Sequence, residues 1–266
     1  MVQLDSPPAH PTSTSAYAST VISIVRGLGW TLIWMGVYLL GFVAYQLWFT
    51  NILTERDQAE LEASLESRFA AVEVDQVPLD DVYDPFSGLT FGTDGSDPVN
   101  NTGNEAAFLL VEPSASAGDA FAQIRIPKIE VDVTMVEGVE RGALKKGPGH
   151  MSDTPLPGQP GNAVISGHRT TYGAPFHNLD VLTAGDVIEV DSAIGTHTYV
   201  VREAPERCRN DEGLCIVPQT GLWVTDPLEG AWLTLTTCHP KFSSRQRLIV
   251  FAELVDGPNA AILGAT

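Results

Sequence analysis

Cys238 closes the run AWLTLTTC, residues 231–238, and two arginines, Arg245 and Arg247, follow it. Read as a strand, this run puts Leu233 and Leu235 on one face and Thr234, Thr236 and Cys238 on the other. A second strand begins near Arg247, with Leu248, Val250, Ala252 and Leu254 as its apolar face. Arg245 and Arg247 project from the opposite face. A thiol at a strand end beside a guanidinium has the makings of a nucleophile, because the thiolate is the reactive form and neighbouring positive charge stabilises it. An inert cysteine in a strand fits the same alternation. A lone cysteine with a distant histidine such as His168 does not by itself separate the two readings.

The elements that must position these residues are short and β-rich. From Ala120 onward, AQIRIPKI, VDVTMVEGV, NAVISGH, DVIEVDS, THTYVVREA, AWLTLTTC and RLIVFAEL read as strands. Gly and Pro clusters such as KKGPGHM and TPLPGQPGN separate them, and FHNLDVL resembles a short helix. Seven or eight strands over residues 120–256 predict an all-β, closed or nearly closed barrel.

Upstream, the composition changes twice. Residues 1–26 read as a disordered tail rich in Pro, Ser, Thr and Ala at its start. Residues 27–50 carry no charge, enough to cross ~30 Å of hydrocarbon at ~1.5 Å per residue. Trp30, Trp34 and Trp48 lie toward the two ends of that run, as in an interfacial aromatic belt. The run is too long and starts too late for a cleaved signal peptide. Residues 51–119 read as an acidic helix and linker stalk, the helix carrying Leu61, Leu65 and Phe69 at i+4 spacing. The net charge is −18, and residues 51–120 hold 15 acids against 2 bases. Such a distribution reads as a solvated spacer and excludes nucleic acid as a partner, since phosphate contacts need a basic surface. Residues 257–266 read as a C-terminal tail.

The segment TLTTC, residues 234–238, followed by Arg247 in RLIVFAEL, resembles the sortase signature. NAVISGHRTTYGAPF, residues 162–176, resembles the sortase strand that ends in the catalytic histidine, here His168. IRIPKIEVDVTMVEGVERGALKKGPGHMSDTPLPGQPGN resembles the first strands of that family. The phrases GHRTTYG and TTCHPKFS are most similar to class E sortases of high-GC actinobacteria. The resemblance implies a closed eight-stranded barrel with short helices behind a transmembrane helix and acidic stalk. It implies Cys238 as nucleophile, His168 as acid/base and Arg247 as oxyanion or substrate clamp. Arg245 shares the strand face, and the order of residues before LIVFA favours Arg247. Thr237 and Tyr172 are candidate substrate contacts. His239 is expected on the other face, with a structural role.

The same resemblance implies a membrane-anchored transpeptidase, its N-terminus cytoplasmic and its catalytic domain extracellular. Its partners would be C-terminal sorting signals of secreted surface proteins or pilins, a peptidoglycan-precursor or pilin amine, and the lipid bilayer. The class implies LAxTG in preference to LPxTG. No cofactor and no metal is needed. A non-transferring cell-envelope cysteine peptidase and a non-catalytic wall-binding barrel are the competing readings. Cys208 and Cys215 flank the polar, turn-like RNDEGL, and outside the cytoplasm they are expected to form a disulfide. Their spacing matches no usual zinc motif. His150, His177 and His197 are expected on the surface or in loops.

Overall fold

The computed structural model describes residues 14–78 and 108–264. The chain divides into two compact units, Met1–Phe49 and Thr50–Thr266. Helix α1 (Thr14–Ala71) contributes to both. Within it, Ile22–Val43 is long and apolar enough to cross a membrane. Its side chains are exposed almost all round. Helix begins at Thr14, inside the stretch expected to be a disordered tail; residues 1–13 of that tail lie outside the described residues. So does most of the expected linker, residues 79–107. Its two described ends pair as a small antiparallel sheet, β1 (Asp75–Pro78) with β2 (Phe108–Val111).

Nine strands follow: β3 (Ala120–Ile126), β4 (Val131–Glu137), β5 (Gly149–His150), β6 (Gly161–Ser166), β7 (Val187–Ser192), β8 (Gly195–Val201), β9 (Cys215–Pro218), β10 (Ala231–His239) and β11 (Gln246–Asp256). Their order is β10-β6-β5-β4-β3-β7-β8-β11, and β10 pairs with β11 to close the ring. This is the expected eight-stranded barrel, with β9 added on β11 beyond it. The period-two pattern fills its interior. Leu233 and Leu235 of β10, Leu248, Val250, Ala252 and Leu254 of β11, and Tyr199 and Val201 of β8 share one core with Phe121 and Ile124. Each large apolar side chain so buried contributes about 1.5–3 kcal/mol. The short helix expected in FHNLDVL is one 3-10 turn, Leu179–Val181.

Outside the barrel wall, Cys208, Cys215, Val217, Val224, Ile249 and Phe251 form a second cluster. Cys208 and Cys215 are joined in a disulfide, their Cα atoms 4.7 Å apart. The bond fixes the start of β9, which covers the edge of β11 from Gln246 to Ile249. In the chain-entropy picture, closing so short a loop contributes about 2–3 kcal/mol. Replacing both cysteines by serine is therefore expected to lower Tm by about 4–12 °C in a thermal melt. A Tm unchanged by the replacement, or by reduction of the wild type, would show that β9 is held by packing alone.

Two histidines expected on the surface or in loops are buried in strands, His150 in β5 and His197 in β8. His197 is fully enclosed, with Nε2 3.2 Å from Ser192 Oγ. Gly158 packs on its ring so closely that a Cβ there would lie 2.0 Å away. Burial pushes the His197 pKa down to about 4, so its imidazole is neutral. His150 is enclosed beside Phe121, with Nδ1 2.8 Å from Glu137 Oε2. The C-terminal stretch is not a free tail throughout. Buried Asn259 accepts from Leu110 N at 2.9 Å and donates to Leu110 O at 2.9 Å, tying β2 to the barrel.

Candidate active site

Cys238 is the next-to-last residue of β10, and antiparallel pairing sets it opposite Arg247 on β11. Directly opposed residues project to the same face, with Cβ atoms about 4.5–5.5 Å apart. Leu235 and Leu248 point into the core, so the Cys238–Arg247 pair occupies the outer face. Cys238 is a free, partly exposed thiol. Arg247 Nη1 donates to Ser244 O at 2.9 Å and Gln246 O at 3.0 Å, which turns the guanidinium over the β10–β11 connection. Arg245 lies in the bend before β11 and is absent from its ladder with β10. The structure thus separates two arginines that alternation could not.

On the other flank of β10 runs β6, and the two are parallel with Ser166 opposite Thr236. Gly167 N donates to Thr236 O at 3.0 Å. His168 stands two residues past Ser166, and Cys238 two past Thr236. Neighbouring strands lie about 4.8 Å apart, so the histidine and the thiol reach the same height at the same end of the sheet. Cys238 of β10 therefore has Arg247 opposite it on β11 and His168 just past the end of β6 on its other flank.

The chain at His168 is locked from behind. Phe176 is fully buried and its N–H donates to His168 O at 3.1 Å. A Cβ on Gly167 would come within 2.4 Å of the Phe176 ring, so only glycine allows that approach. Burial holds the His168 pKa below the ordinary value of 6.5. The ring of Tyr172 lies 5.0 Å from that of His168, tilted by 38°. Thr237 is buried, and its hydroxyl donates to Gly167 O at 2.7 Å, so this side chain ties β10 to the histidine's strand.

One participant was not anticipated from sequence. Arg169 is 3 % exposed, which decides its role as internal. Its Nη1 donates to Cys238 O at 3.2 Å and to His239 Nδ1 at 2.9 Å, and Nη2 lies 3.0 Å from Asp180 Oδ2. The guanidinium fastens the end of β10 to the loop beyond His168. Burial and the adjacent Arg169 charge hold the His239 pKa below its ordinary value, in keeping with a neutral acceptor ring. His239 is thereby occupied structurally, as expected.

The Sortase domain profile matches residues 124–255, nearly the whole barrel. Sortase E from Streptomyces avermitilis is 35% identical in sequence, over 55% of this chain and 95% of that one, with a TM-score of 0.47. The chain belongs to the sortase family. Two curated relatives are sortases of Streptomyces coelicolor. SrtE1 is 28% identical over 87% of this chain, and SrtE2 is 29% identical over 87% of this chain and 82% of its own length. The aligned part spans 57% of the length of SrtE1. Sortases are cysteine transpeptidases. Among the described residues of this sortase, no group of three or more His, Cys, Asp or Glu side chains could hold a metal ion.

Proposed function

We propose that this sortase is a membrane-anchored transpeptidase that cleaves a Thr–Gly bond in LAxTG/LPxTG-type sorting signals and joins the threonyl carbonyl to a cell-wall or pilin amine. The register that puts Cys238 opposite Arg247, with His168 just past the end of the neighbouring β6, carries this reading. Sulfur of Cys238 attacks the threonine carbonyl carbon, and Arg247 donates hydrogen bonds to the developing oxyanion. The thiol proton reaches the glycine nitrogen through His168 as the C–N bond breaks, leaving a thioester on Cys238. The acceptor amine then attacks that thioester and gives its proton to His168, and the proton returns to the departing sulfur. Burial holds the His168 pKa below its ordinary value, so at neutral pH the imidazole is the neutral base that can accept the thiol proton. The apolar stretch Ile22–Val43 supports anchoring. The proposed activity, on exported substrates, in turn calls for a cytoplasmic N-terminus and a barrel outside the cell.

The experiment is product analysis of a sorting peptide with and without an amine acceptor. An amide-linked product supports transpeptidation, whereas only the free acid in both arms supports a peptidase. The class E likeness gives a further expectation, that an LAxTG peptide outcompetes one with LPxTG. Alanine offers an amide N–H that proline lacks, and proline fixes φ near ~−65°. The hydroxyl of Tyr172 is a candidate acceptor for that N–H. Competition between two peptides differing only at this position reads the preference directly. Equal or better use of the proline peptide would remove the class assignment and leave the sortase chemistry standing.

A further inference from the structure

The acidic segment of α1 within the second unit is more than a spacer. Leu61 and Leu65 are buried, and with Phe69 they pack on Ala120, Val136 and Ala143. One turn earlier, Gln58 bonds to three main-chain groups of the barrel. Its Nε2 donates to Lys146 O at 2.7 Å and Thr134 O at 3.0 Å, and its Oε1 accepts from Thr134 N at 2.9 Å. β4 has no strand partner on that side at Thr134, because β5 pairs only with Val136 and Glu137. Gln58 therefore completes the sheet there. A Cβ on Gly147 would lie 2.5 Å from Gln58 Nε2, so the sequence leaves that residue bare where the amide enters.

Four residues before Gln58, Thr54 meets the loop that follows His168. Thr54 is buried, and a Cβ placed on Gly173 would lie 3.2 Å from its Cγ2. In that loop Tyr172, Gly173 and Ala174 are all left-handed, with φ of 52°, 72° and 45°. For the two residues with a side chain this conformation is strained, and it persists only where surroundings enforce it. The surroundings are Thr54 against Gly173 and the Lys145 ammonium 5.6 Å over the Tyr172 ring. Lys145 belongs to the short helix α2 (Arg141–Lys146), and its carbonyl lies 3.5 Å from Thr54 Oγ1. A groove of about 520 Å³ runs along this contact, bordered by Thr54, Gln58, Gly147, Tyr172 and Pro175.

We infer that Thr54 and Gln58 are positioning residues for catalysis: they hold the left-handed turn 172–174, which presses Tyr172 on His168 and fixes that imidazole beside the thiol. The inference rests on His168 being the acid/base of the proposed sortase reaction. It predicts that loosening the helix from the loop disturbs the histidine while the barrel stays folded. The depressed pKa of His168 comes from burial, and Tyr172 is part of what covers it.

The test uses the full chain in detergent micelles, with the His168 imidazole followed by NMR titration and kcat/KM measured on a sorting peptide. In Thr54→Ala/Gln58→Ala the His168 pKa is expected to rise toward its ordinary value. kcat/KM should fall by on the order of tenfold or more, chiefly in kcat, as for a misplaced catalytic group. Thr54→Val keeps the methyl that faces Gly173 and should resemble the wild type. Gly173→Ala, which keeps Thr54 and Gln58 and disturbs the turn from the loop side, should move His168 in the same direction. It decides the matter if the double variant does not fold. An unchanged His168 titration in folded Gly173→Ala, or in the folded double variant, would overturn the inference. The titration needs no substrate, so it reports on the clamp even if no sorting peptide is turned over, an outcome that would instead sink the proposed function.

Discussion

Cys238→Ala is expected to lower turnover of a sorting peptide by at least about 10⁴-fold, because no other group can form the thioester. The fold should survive. Cys238 is a free, partly exposed thiol on the outer face of the barrel, so its loss should change stability by less than about 1 kcal/mol. His168→Ala should cost about 10²–10⁴-fold, the usual contribution of a positioned acid/base. Arg247→Ala should cost about 10²–10³-fold, as for removal of one oxyanion donor. Arg245→Ala should cost far less, since Arg245 lies outside the strand ladder that sets Arg247 opposite the sulfur. Steady-state kinetics on the four variants, with melting curves to confirm folding, gives the ranking. Residual thioester formation by Cys238→Ala would dismiss the mechanism. A larger loss in Arg245→Ala than in Arg247→Ala would transfer the oxyanion role to the other arginine.

The parts of this site that were legible in sequence are those governed by strand alternation. Leu233 and Leu235 against Thr236 and Cys238, and Leu248 and Val250 against Arg247, already fix which face each side chain takes. Register is another matter. The six residues 240–245 join β10 to β11, and only the observed pairing shows that the loop length sets Arg247, and not Arg245, opposite the thiol. β5 is two residues long, inside a Gly- and Pro-rich stretch that reads as a turn, so no periodicity marks it. His197 did carry a signal. It alternates with Tyr199 and Val201, which point inward, but a histidine in a polar strand is easily taken as a surface residue. The acidic helix misleads for a related reason. Its charge is spread over most of its surface, while one narrow stripe of Leu61, Leu65 and Phe69 plus a single Gln58 docks on the barrel.

Arg169 was missed because its partners are far apart in sequence, and none of them marks it by spacing. Arg169→Met is expected to be the most destabilising substitution around the site. Methionine matches much of the volume but leaves Asp180, the Cys238 carbonyl and His239 Nδ1 without their shared donor. Breaking a buried charge pair typically costs about 3–5 kcal/mol. Asp180 keeps 32 % of its side chain exposed, so water can recover part of its interaction. The expected loss is thus about 2–4 kcal/mol. Arg169→Lys should recover little, because an ammonium cannot span the carbonyl, the imidazole and the carboxylate at once. Activity should fall even below the melting transition, by on the order of 10–100-fold, because the backbone at Cys238 is no longer tied to the loop after His168. Chemical denaturation paired with kinetics at low temperature separates the two effects. A variant that melts early yet retains full kcat while folded would confine Arg169 to stability. One that melts like the wild type would show that the guanidinium, despite its burial, holds nothing that the surrounding chain does not already hold.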